Sequence, residues 1–308
     1  MRMKTLIAGG AVLMAALLPA VPALAAKQPY VSASHVNGAN ADEVASEVKT
    51  ALNDAGFDVV GSYHPVGNDN MVSVVATDGR LLRAIGKLRK TTKGGYPIAG
   101  AGIRVGVFKP EKKDMVEISF MDPTYWYNAY FQDAYSQVEV EAKRVKKQLM
   151  DALGPLGKRS GKAFGGKVSD LGDYHYMIFM PYFEDQVELA SYDSYQDAVS
   201  TIRGNLNRGE ADTKPVYEIN LSDQKMAVFG VAMLDEHHGT PSWFPKLIQR
   251  HVAAMPYELF VVGNKAYMLH GRFRIALAWP ELTMATFSNI MDAPPDTETI
   301  LDKVASPK

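Results

Sequence analysis

The chain has 308 residues, no cysteine and 33 Lys+Arg against 34 Asp+Glu. The missing cysteine excludes disulfides, thiolate metal centres, thioether haem attachment and a lipobox. The charge balance, about −3 once Arg2 and Lys4 are set aside, lacks the basic footprint of a nucleic-acid or membrane-surface protein.

Residues 1–26 read as a secretory signal peptide. Arg2 and Lys4 precede an apolar, uncharged run, and Ala23-Leu24-Ala25 offers a small-x-small cleavage site. No later apolar stretch approaches the ~18 residues of a spanning helix, so no stable membrane insertion is expected after cleavage. The expected address is the periplasm.

Residues 27–153 read as one α+β unit. Val44, Val48, Ala51, Leu52 and Ala55 recur at helical spacing behind an Asn40/Glu43 capping pattern, and Gly56 closes the helix. Two strands around the Gly67–Asn70 turn follow, then a helix from Asp78 with a basic outer face. Gly94-Gly95 and Gly100-Ala101-Gly102 read as hinge and bulge residues. A hairpin spans Ile103 to Met121, and Asp122-Pro123 opens a long aromatic-rich helix running to Leu153. Residues 154–173, rich in Gly and Lys, read as a flexible linker.

Residues 174–308 repeat the order. Strands are expected at Tyr174–Met180 and Val187–Tyr192, then a helix from Ser194 to Gly209, a strand pair, and a helix from Pro241 to Met255. A second hairpin is expected to run on to Trp279, with Pro280 opening a final helix. Gly56, Met71 and Pro123 have counterparts at a nearly constant offset in Gly209, Met226 and Pro280. The expectation is therefore an α+β fold of two repeated α-β-β-α-β-β-α lobes, packed as an intramolecular pseudo-dimer.

The helix closing on Ala55-Gly56-Phe57, the strand Met71–Ala76 and the turn Met121-Asp122-Pro123 resemble the family called domain of unknown function 302. The second half keeps the pattern more loosely, with Arg208-Gly209 and Trp279-Pro280 at the matching places. The resemblance implies a self-associating α+β sandwich, here within one chain, and brings no agreed activity. Members often carry a Cys-x-Pro turn, which this chain lacks, so thiol chemistry is excluded.

Two constellations suggest chemistry. Tyr125, Trp126, Tyr127 and Tyr130 cover more than one helical face; they read as an inter-lobe interface or as the wall of a ligand cleft for a flat molecule such as haem or a quinone. His237-His238 reads as a solvated polar loop or as metal ligands, and Met268-x-His270 puts a thioether and an imidazole on one strand face. Those donors suit copper or an axially ligated, non-covalent haem; the alternative is that Met fills core gaps. No nucleophile or metalloprotease motif is present. The sequence thus points to an exported, non-enzymatic module binding a small ligand or partner protein, with a copper- or haem-binding redox accessory as the alternative.

Overall fold

The computed structural model describes residues 25–307. The expected signal peptide lies almost wholly outside them. The described chain is a mixed α+β fold with two antiparallel sheets.

The first sheet is made by β1 (Tyr30–Asn37), β2 (Asp58–Tyr63), β3 (Met71–Thr77), β4 (Ile103–Phe108), β5 (Met115–Met121) and β6 (Lys158–Phe164), in the order β2-β3-β4-β5-β1-β6. Between them run α1 (Ala41–Asp54), α2 (Gly79–Lys87), α3 (Pro123–Phe131) and α4 (Glu139–Leu153). The capping box at Asn40 and Glu43 forms as expected, and Gly56 takes a φ of 83° just after the helix, where a side chain would be strained.

The second sheet is made by β7 (Val187–Ser191), β8 (Thr213–Leu221), β9 (Met226–Met233), β10 (Tyr257–Val262) and β11 (Lys265–Met268), in the order β7-β11-β10-β9-β8. Its helices are α5 (Tyr195–Asn207), the single turn α6 (Thr240–Trp243), α7 (Gly271–Ala278), the single turn α8 (Met284–Phe287) and α9 (Ala293–Ala305). Apart from β6, strands taken in chain order occupy the same places in both sheets.

α1 and α4 pack outside the first sheet, and α5 and α9 outside the second. The inner faces meet. On β4, Ile103, Val105 and Val107 point one way, while Arg104 and Gly106 point at the second sheet's side. A Cβ on Gly106 would stand 2.7 Å from the Ala253 nitrogen, so glycine is what lets the two halves approach there.

Five expectations are corrected. The helix expected from Pro241 to Met255 is instead the single turn α6 followed by two short 3-10 turns. The linker stretch contains β6, which pairs along β1; an open edge on β1 would leave backbone groups unpaired, and Lys158, Arg159 and Lys162 make the new edge charged. The long aromatic helix breaks at Gln132, whose φ is 49°, into α3, a 3-10 stretch and α4. The expected strand at 174–180 is irregular. The second hairpin ends at Met268, and Phe273, Ile275 and Leu277 belong to α7, with Pro280 in the turn after it. Most of α7 is buried, so its apolar residues imitate strand alternation without marking one face.

Candidate functional site

The chemical centre of the molecule lies in the seam between the sheets. Arg104 is the second residue of the six-residue β4, and Glu258 is the second residue of the six-residue β10. The two strands bring these side chains together, and Arg104 Nη1 donates to Glu258 Oε1. Arg274 completes the group, donating from Nε to Glu258 Oε2 at 2.9 Å. It is the fourth residue of α7, the place that Trp126 holds in α3. All four are buried.

Burying three charges costs several kcal/mol per ion before pairing. The chain offsets this with a dense set of partners. Arg104 Nε donates to the Ala253 carbonyl at 3.1 Å, and Arg274 Nη2 reaches the carbonyls of Ala254 and Pro256. Both guanidiniums sit on the Trp126 indole, with Cζ 4.9 Å and 5.2 Å from its centroid. Trp126 is itself fixed by Nε1 donating to the Pro29 carbonyl at 2.9 Å. Burial, then the neighbouring Arg274 charge, lowers the Arg104 pKa.

A second charged layer rims the seam. Glu117 on β5 takes two hydrogen bonds from Arg250, at 2.7 and 2.6 Å. Burial opposes ionisation of Glu117, but these bonds and the Arg250 charge hold its carboxyl below the usual range. His251, buried between Tyr30 and Trp279, places Nδ1 3.1 Å from the Ala278 carbonyl and Nε2 3.1 Å from Glu281. The Glu281 carboxyl is also lowered against burial, by His251 and by the Gly166 N–H.

Tyr125, Trp126, Tyr127 and Tyr130 are all fully buried. Tyr125 Oη donates across the seam to the Leu277 carbonyl at 2.9 Å, and the Tyr130 ring lies where a Cβ on Gly100 would stand 2.6 Å away. The Gly100-Ala101-Gly102 run thus makes room for aromatic rings. Open depressions lie instead on outer surfaces. One is lined by Ala51, Asp54, Arg144 and Gln148 between α1 and α4, another by Arg80, Arg83, Lys87 and Glu141 between α2 and α4.

The expected metal ligands are separated in their roles. His237 and His238 are exposed, and both backbone N–H groups donate to Asp235 Oδ1 at 2.8 Å. His238 Nδ1 lies 3.2 Å from Asp296. Met268 is fully buried on β11, while His270 caps α7, its Nδ1 accepting from the Arg272 N–H at 3.2 Å. Among the described residues, no group of three or more His, Asp or Glu side chains is placed to hold a metal ion.

The segment from Tyr174 to Phe183 forms a finger, where the sequence predicts a strand over Tyr174–Met180. Aromatic residues pin its base. Tyr174 Oη donates to the Ala276 carbonyl at 3.0 Å and Tyr176 Oη to that of Leu282, while Phe183 is buried against Tyr130 and Phe273. The tip is the reverse: Ile178 is 75% and Phe179 98% exposed, beside exposed Met177. Phe179 has a φ of 69°, a left-handed conformation that costs a non-glycine residue of its size. The signal in the sequence was Met177-Ile178-Phe179-Met180 beside Pro181, a run too irregular for its strand reading.

No family model matches the chain, and neither a curated protein nor a solved structure matches it.

Proposed function

We propose that the chain is an exported, non-enzymatic binding module that engages a partner protein through the finger. The single observation carrying this reading is the tip itself: three consecutive large apolar residues held out in solvent by a buried aromatic base. Exposed apolar side chains of this kind mark contact sites when contiguous. The anchored base matters, because a pre-ordered attachment reduces the conformational entropy lost on docking.

The charges beside the finger favour a protein over a lipid surface. Asp170, Asp173, Glu184 and Asp185 flank it in sequence, and of these Asp173 pairs with Lys93. An anionic bilayer would be repelled, whereas an apolar pocket rimmed by Lys or Arg would be complementary. The shared strand order of the two sheets supports a duplicated α+β unit, with the finger as an addition found between the copies.

The test is a photo-crosslinking residue at position 179, in cells exporting the full chain, beside one at the exposed Val140 on α4. A single adduct of defined mass from 179 alone is expected, lost when Ile178→Asp is added. Equal adducts from both positions, a Phe179-dependent homodimer, or binding to vesicles would overturn the reading.

A further inference from the structure

The charged seam does not balance. Arg104 and Arg274 bring two positive charges and Glu258 one negative charge, all at 1% exposure or less. One guanidinium charge is therefore left in a region sealed from bulk solvent, where uncompensated charge is strongly unfavourable. Carbonyl dipoles and the Trp126 face reduce this cost without cancelling the charge.

Buried hydrogen-bond donors without partners occur near the same charges. Arg104 Nη2 is buried and has no hydrogen-bond partner among the described residues. The same holds for the hydroxyls of Tyr130 and Tyr217, whose rings are fully and nearly fully buried. Both tyrosines lie within electrostatic reach of Arg104. Tyr217 lies across Gly230, and its Oη is 2.9 Å from where a Cβ on Gly102 would stand. Gly102 and Arg104 are two residues apart and so share a face of that chain segment, while the Tyr130 ring covers Gly100. Burial raises the Tyr217 hydroxyl to about 12, so it stays protonated and can donate. Buried polar groups without partners are rare, and several together call for an explanation.

We infer that the seam is a binding site for one small monovalent anion of halide size, held by Arg104 Nη2 with the hydroxyls of Tyr130 and Tyr217. A neutral water would satisfy hydrogen bonds but leave the excess charge; an anion satisfies both. The anion is a structural ligand that completes the joining of the two sheets, and it is independent of the finger.

The test uses the full mature chain, purified and crystallised in sodium bromide, with anomalous diffraction at the bromine edge. The expected result is a bromide peak in contact with Arg104 Nη2 and at least one of the two hydroxyls. In solution, the unfolding midpoint is expected to rise with bromide relative to gluconate at equal ionic strength. Tyr217→Phe, which keeps the ring and removes one donor, is expected to weaken bromide binding about tenfold; Tyr130→Phe serves if that variant fails to fold. Bromide peaks on the surface only, with water density beside Arg104, would overturn the inference. So would midpoints that are the same in bromide and gluconate.

Discussion

The second residue of β4 is arginine and the second residue of β10 is glutamate, on strands that hold matching places in the two sheets. Four residues into the next helix the contrast recurs, with Trp126 in α3 and Arg274 in α7. If two identical copies met by this face, like would meet like, and Arg would face Arg across a dry interface. The two halves differ in sequence at these positions, so that constraint does not apply here. The difference between the halves is therefore what makes the seam attractive, with Arg set against Glu and guanidinium against indole.

The largest test of this contrast removes the negative member. Glu258→Gln leaves two buried guanidiniums without a carboxylate and is expected to cost about 3–5 kcal/mol in denaturant unfolding. A loss below about 1 kcal/mol would mean that the carbonyls and Trp126 carry the seam alone.

Close approach is the next term. β2 and β8 meet at their bulges, and a Cβ on Gly61 would stand 2.1 Å from the Val216 carbonyl oxygen. Gly61→Ala is expected to destabilise by about 1–3 kcal/mol. Wild-type stability in this variant would show that the halves slide freely past one another.

The rim should respond to acid. Glu117 and Glu281 both have carboxyls below the usual range, so their contribution is present at neutral pH and is lost as pH falls through the folded values. The thermal midpoint is expected to drop as pH falls below about 5, and Glu281→Gln should flatten that drop. A variant profile parallel to wild type would remove Glu281 from the account.

The smallest stability effect belongs to the finger. Phe179→Ser removes a side chain that contacts almost nothing, so stability should stay within about 0.5 kcal/mol while crosslinking at neighbouring Ile178 is lost. A clear loss of stability would show that the tip packs in solution and is no docking element.

Much of the architecture could be read from the residues. The Asn40 capping box, the Gly56 terminator and the Met71 and Met226 strand starts follow from local propensity and patterning, which act over a few residues. The mixed α+β class followed from the same signals. Where local signals conflicted, the reading failed: α7 resembled a strand because burial on nearly all sides erased its periodicity, and β6 resembled a linker because its polar edge faces solvent.

The site was less legible. Tyr125, Trp126, Tyr127 and Tyr130 stood out in the sequence as aromatics, but their complete burial depends on what packs over α3. Arg104, Glu258 and Arg274 are single charged residues amid apolar runs, and no spacing rule joins residues this far apart in the chain. The sequence by itself determined the helices with clear caps, the strands with clear bounds and the absence of thiol chemistry. Only the tertiary structure decided which charges meet, because that depends on how one sheet is laid on the other. It likewise decided that Phe179 is exposed, since apolar patterning reports what a side chain prefers and not what the fold leaves to cover it.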